Sequence, residues 1–213
     1  MIQPVESLEI TVLVDNVTDS LSANPEFVET EMAGAWRRGM KWLSGRCLCC
    51  AAHGLSCLIT TRTPSSQHTL LFDTGPDAST FERKVIRLGV DMGGVDTMML
   101  SHGHWDHAGA MPRVQMMTLA NGGRRVPTYM HPDMFASRAV KANDGRLMPM
   151  EDIPSEHILA ANRADLIIAR NQQSVLSNSV FISGEIPRVT SFEKGVPGQH
   201  RRHPAESARP FAP

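Results

Sequence analysis

Residues 101–107 (SHGHWDH) place three imidazoles and a carboxylate, His102, His104, Asp106 and His107, within six consecutive positions. With nine histidines and eleven aspartates in 213 residues, H-x-H-x-D-H arises by chance in roughly one such chain per thousand. The stretch follows directly on the apolar run VDTMML at 95–100, so the chain delivers these polar groups where a strand ends. In a chain leaving a strand, His102 and His104 sit two apart and project to the same side, where they can hold one metal ion. Asp106 and His107 fall on the next turn and can face a second. Imidazole nitrogens with one carboxylate and no thiolate suit zinc, with iron or manganese as alternatives.

The surrounding chain alternates strand and helix patterns. LEITVLV at 8–14 reads as a first strand, and the apolar runs at 55–61 and 68–73, separated by the polar TPSSQ, read as a hairpin. Between 79 and 88, Phe81, Val85 and Leu88 fall at i, i+4 and i+7, with Ser79 or Thr80 placed to cap the start and Gly89 the end, which predicts a helix. Further strands are expected at 95–100, 126–130, 166–169 and 179–183, with a weaker helix at 112–120. Residues 18–45 carry no sustained period and read as an irregular excursion around a short helix within 29–42. Strand, helix, strand in succession is the mark of the α/β class.

Composition narrows the partners. Twenty-one basic against twenty-two acidic side chains leave a net charge of −1, which argues against nucleic acid or an anionic membrane as partner; the expected partner is a small-molecule substrate. No apolar run approaches the roughly 20 residues that span a bilayer, and the N-terminus lacks a signal-peptide pattern, so the expected location is cytoplasmic. Cys47, Cys49, Cys50 and Cys57 lie within eleven residues, too close together to staple the fold and without two C-x-x-C knuckles for zinc. They are expected to be reduced, partly buried thiols.

The H-x-H-x-D-H motif resembles that of the metallo-β-lactamase-fold hydrolase superfamily at all four ligand positions, His102, His104, Asp106 and His107. LLFDTG, with Asp73 and Gly75, matches the strand that precedes the motif in that superfamily, where the aspartate supports the metal loop. ITVLVDN, AHGLSCLI, LLFDTGP, LGVD, LSHGHWDHAGA, HPDMF and SGEIPRVT together resemble the branch that includes the dihydropterin-ribofuranosylaminobenzene 5'-phosphate synthases. The resemblance implies an αββα sandwich, two divalent ions and a metal-activated water acting on an ester or phosphoester-type substrate, with Asp106 as ligand and proton acceptor. It implies alternatively a transferase.

In the superfamily a downstream half supplies further ligands. Here SGEIPRVTSFEKGVPGQ gives way to HRRHPAESARPFAP, so the chain reads as truncated, with the first lobe and only part of the second. Residues 1–193 are expected to form an incomplete metallo-β-lactamase-like domain and 194–213, with four prolines and three arginines, a disordered tail. His200 and His203 in that tail are not expected to replace ligands. His131 is expected at the surface or in support of the site, and His53, His68 and His157 in structural or exposed positions. Whether the chain is an enzyme stays open, since an inactive fragment or a non-enzymatic binding protein fits an incomplete ligand set. A sheet face left uncovered would expose Val180 and Ile182 and favour self-association.

Overall fold

The β-branched and apolar runs form one six-stranded sheet. In the computed structural model, which describes residues 2–19, 22–122 and 124–202, its strands are β1 (Ser7–Val14), β2 (Ser56–Arg62), β3 (Gln67–Phe72), β4 (Thr97–Met99), β5 (Pro127–Met130) and β8 (Asp165–Ile168), side by side in that order. The first three pair antiparallel; β3, β4, β5 and β8 run parallel. The hairpin between β2 and β3 closes where the Thr63 N–H donates to the Ser66 carbonyl at 2.8 Å, while the two hydroxyls lie 2.9 Å apart. Parallel pairing then requires crossovers, supplied by α2 (Ala78–Leu88), by α4 (Met111–Gly122) after the single turn α3 (Trp105–Ala108), and by α5 (Glu156–Ala161).

Helix α2 shows how local sequence sets these crossovers. Its Phe81 and Val85 are buried as the spacing predicts, and Gly89 ends it in the left-handed conformation. The start differs from the sequence reading, because the cap is Asp77 rather than Ser79 or Thr80. The Asp77 carboxylate accepts the Thr80 N–H at 2.9 Å and both neighbouring hydroxyls, from Ser79 at 2.6 Å and from Thr80 at 2.7 Å, so the two hydroxyl residues serve the cap instead of forming it. The excursion at 18–45 holds one short helix, α1 (Glu31–Arg37), capped by Thr30.

One sheet face carries the main core. Leu58, Leu71 and Met98 meet Phe81, Val85, Met92, Val114 and Val126 there. A second cluster, Leu100, Ala108, Met111, Met130, Ile153, Leu159 and Ala164, packs where β4 and β5 end. The opposite face is covered only in part, by the hairpin of β9 (Gln173–Val175) and β10 (Val180–Ile182), which is tied to the sheet through Ser179 Oγ at 2.9 Å from Thr61 Oγ1. The expectation that Val180 and Ile182 lie exposed is therefore corrected: Val180 is half-buried and Ile182 buried, because β10 turns these alternate positions inward. Leu8, Ile10 and Val12, on one side of edge strand β1, are among the apolar positions left open to solvent, as is Phe181 on the outer side of β10.

The tail reading is also corrected in part. Residues Gln199–Arg201 form a strand, β11, antiparallel to β6 (Arg138–Lys141), which pairs on its other edge with β7 (Leu147–Pro149). Main-chain pairing needs no apolar side chains, so composition could not reveal it. His203 and the rest of the tail lie outside the described residues. Among the described residues no helix is long and apolar enough to cross a membrane.

Asp77→Ala should cost about 1 kcal/mol of stability at neutral pH. The Ser79 hydroxyl and the other donors hold the Asp77 pKa below its ordinary value. A depressed folded-state pKa contributes stability that is present above the unfolded pKa and is lost as pH falls through the folded one. Urea titrations should therefore show wild type and variant converging at acid pH; a gap that does not change with pH would refute the cap.

Candidate metal centre

Strand β3 ends at Phe72, and parallel pairing of Phe72 with Met99 sets Asp73 beside the residues that leave β4. Asp73 adopts a left-handed backbone, φ 58°, a conformation aspartate reaches more readily than most residues. Its carboxylate is fully buried. Oδ1 accepts the Ser101 N–H at 2.7 Å, and Oδ2 accepts the Ser101 hydroxyl and His107 Nδ1–H, each at 2.7 Å. Thr74 adds two bonds to the His107 carbonyl, from its N–H at 2.7 Å and its hydroxyl at 3.0 Å. The loop at 101–107 is thus fastened at both ends to one strand terminus.

The imidazoles gather inside this loop. His102 Nε2 lies 3.0 Å from His104 Nδ1, and the His102 ring is centred 4.5 Å from His104 and 4.2 Å from His107. The Ser101 hydroxyl gives its proton to Asp73 and so accepts from His102 Nδ1–H at 3.0 Å, leaving His102 Nε2 as an acceptor that faces His104. His107 is likewise engaged at Nδ1 by Asp73, and its Nε2 stands 3.4 Å from Asp106 Oδ2. Burial lowers the pKa of His102, with the other two imidazoles adding to it, and lowers that of His104, with the Arg138 guanidinium adding to it. The hydrogen bond to Asp73 raises that of His107 against the opposing effect of burial.

These donors suit a divalent cation. Zinc–nitrogen distances near 2.0–2.1 Å place two tetrahedral nitrogens about 3.3 Å apart, close to the His102–His104 spacing. The donors come as two pairs, His102 with His104 and Asp106 with His107. Among the described residues, no group of three or more His, Cys, Asp or Glu side chains is arranged to hold a metal ion.

The sequence reading did not place His53, Gly54, Arg138 or Gln199 at the site. His53 is exposed, as expected, but its Nε2 lies 3.4 Å from Asp106 Oδ2 and its ring is centred 5.8 Å from Trp105. The following Gly54, at φ 130°, passes so close to the Asp106 carbonyl that a Cβ there would collide with it. Arg138 on β6 donates to the carbonyls of Gly103 at 2.8 Å, Met134 at 3.0 Å, Ala136 at 2.6 Å and Asp133 at 3.0 Å, joining the histidine loop to the turn at Pro132–Phe135. Gln199 on β11 reaches His104 Nε2 at 2.9 Å. For Gln199, only a strand signal in the tail could have suggested it.

The remaining candidates lie elsewhere. His131 Nδ1 accepts the Asp133 N–H at 3.2 Å, and its Nε2 sits 3.3 Å from Glu185 and 3.2 Å from Arg170, within a surface ion cluster. His68 lies 3.1 Å from the Ser177 hydroxyl, and His157 and His200 are exposed. Burial, helped by the Glu31 carboxylate, pushes the Cys49 thiol up to about 11, and all four cysteines are free. A cavity of about 130 Å³ opens beside Ser101, between Met99, Tyr129, Met134 and Ile182.

Residues 55–168 match the family model of the metallo-beta-lactamase superfamily. The uncharacterized protein MJ0448 of Methanocaldococcus jannaschii is 30% identical over 143 residues, covering 67% of this chain and 50% of that protein. The 7,8-dihydropterin-6-methyl-4-(beta-D-ribofuranosyl)-aminobenzene-5'-phosphate synthase of the same organism is 29% identical over 83 residues, 39% of this chain and 27% of that protein. The Rm3 metallo-beta-lactamase superposes with a TM-score of 0.37 at 17% identity, covering 62% of this chain and 45% of that one. The chain spans half or less of the length of these relatives.

Asp73→Ala would strand the Ser101 N–H and hydroxyl and the His107 imidazole, and should cost about 3 kcal/mol or more, against about 1 kcal/mol for Ser101→Ala. Chemical denaturation giving equal losses for the two variants would show that the carboxylate is not the common anchor.

Proposed function

This chain belongs to the metallo-beta-lactamase superfamily, and we propose that it acts as a metal-dependent hydrolase in which water attacks an ester or phosphoester-type substrate. The observation that carries the reading is the inward grouping of His102 Nε2, His104, Asp106 and His107 Nε2, with Asp73 and Ser101 engaging the outer nitrogens of His107 and His102. On this reading His102 and His104 hold one divalent ion and Asp106 and His107 a second. Bound there, zinc, or alternatively iron or manganese, supplies Lewis acidity at the electrophilic oxygen and lowers the pKa of water.

The chain's own residues supply the rest. Asp106 Oδ2 faces His107 and His53, each at 3.4 Å, and is placed to orient the attacking water and accept its proton. The buried Asp73 carboxylate keeps the His107 Nδ1 proton fixed, so that ring presents Nε2 and no other atom. Trp105, half-buried with His53 against it, bounds the approach from one side, and the cavity beside Ser101 offers the substrate an apolar wall.

A transferase is the second reading. It is favoured by the 29% identity over 83 residues to the dihydropterin synthase. Product analysis separates the two, since a hydrolase releases an acid and an alcohol without an acceptor substrate.

Catalytic zinc normally has three protein ligands, and here each ion finds about two, so metal loading should be weak. Elemental analysis after dialysis should find less than two ions per chain. Added zinc or manganese should restore hydrolysis of aryl ester or bis-aryl phosphodiester probes. Asp106→Asn should lower that rate by about 100-fold or more. No hydrolysis with any divalent metal would overturn the hydrolase reading, and two ions that survive dialysis would overturn the paired-donor one.

A further inference from the structure

His104 is the one histidine of the cluster whose outer nitrogen is met by a residue far outside the family-matched span. That residue, Gln199, comes from β11, which lies along β6 in register Gln199 with Val140. Its side chain crosses to His104 Nε2 at 2.9 Å, while the other ring nitrogen, Nδ1, faces His102 Nε2 at 3.0 Å. The contacts form one directed chain. The Gln199 amide N–H donates to His104 Nε2, His104 Nδ1–H to His102 Nε2, His102 Nδ1–H to the Ser101 hydroxyl, and that hydroxyl to Asp73. In this arrangement His104 carries its proton on Nδ1, the nitrogen that faces His102.

A cation shared by His102 Nε2 and His104 Nδ1 needs both lone pairs free, so the His104 proton must then sit on Nε2. A carboxamide can serve either state, because rotating its terminal torsion exchanges a donor N–H for an acceptor C=O. A carboxylate can only accept, and an apolar side chain can do neither. We infer that Gln199 is a positioning residue for His104: its amide holds the ring at Nε2 in both protonation patterns, donating in the metal-free chain and accepting once Nδ1 is given to a cation, and so sets how firmly the His102–His104 pair holds a divalent cation. This rests on the metal-site reading above. Arg138 links the two, since it fastens the Gly103 carbonyl and belongs to the strand against which β11 lies.

The test uses the full chain with Gln199→Leu and Gln199→Glu, circular dichroism confirming the fold of each. Long-range ¹⁵N–¹H correlation on the metal-free protein at mildly alkaline pH reads the His104 tautomer. Wild type should show Nδ1–H, Gln199→Glu should show Nε2–H, and Gln199→Leu should show a mixture. Cobalt(II) titration, followed by its visible absorption, should give affinity about 10-fold weaker for Gln199→Leu and regained or exceeded for Gln199→Glu, in the range measured for partners of ligating histidines. Identical His104 shifts in all three proteins, or equal cobalt affinity for wild type and Gln199→Leu, would overturn the inference. A wild type that takes up no cobalt would overturn the metal-site reading instead, while the metal-free spectra would still decide what Gln199 does to His104.

Discussion

The buried carboxylate of Asp73 is the interaction on which the rest of the site depends. An ionised carboxylate removed from water is tolerable only when its oxygens are fully occupied by donors. Here the donors are the Ser101 N–H, the Ser101 hydroxyl and the His107 imidazole, all 2.7 Å away. Satisfying one buried charge therefore fixes both the first residue of the histidine loop and its last ligand candidate. The parallel register of β3 and β4 makes this possible, because it brings two strand ends level at the same edge of the sheet. The cluster of Leu100, Ala108, Met111 and Met130 then packs beneath the loop and keeps it from collapsing inward.

From that anchor a directed hydrogen-bond chain runs outward through Ser101, His102 and His104 to Gln199. Each link has its donor settled by the previous one, so the protonation pattern of the cluster follows from the charge on Asp73. Burial favours the neutral forms of His102 and His104, and on the proposed reading a cation between them requires the His104 proton to sit on Nε2. Arg138 and Gly54 act on the same loop, one by binding the Gly103 carbonyl and the other by letting the chain pass against the Asp106 carbonyl.

The sheet itself is unevenly covered. Helices α2, α4 and α5 shield one face, whereas the other meets a two-stranded hairpin and leaves Leu8, Ile10 and Val12 in solvent. The covered end is the one that carries the histidine loop. There the buried Ile182 lines the cavity beside Ser101 together with Met99 and Tyr129.

By itself the sequence determined what is written in short-range pattern. The β-branched runs at β1 to β3, the i, i+4, i+7 spacing of α2, the strand before the histidine motif and the motif itself all depend on residues within about ten positions of one another, where alternation and helical period are strong constraints. Asp73 was legible through the resemblance of LLFDTG to the family's strand ahead of the motif, since on its own it reads as an ordinary turn residue. Only the tertiary structure decided which distant residues join the four donors: His53 from before β2, Arg138 from β6, and Gln199 from a tail whose polar composition gave no hint of a strand. It likewise decided that β10 turns Ile182 inward while β1 stays open. The physical reason is common to all of these. Main-chain pairing between strands and side-chain bonds across the sheet edge depend on where the chain returns in space, and that is set by the packed core as a whole rather than by any local run of residues.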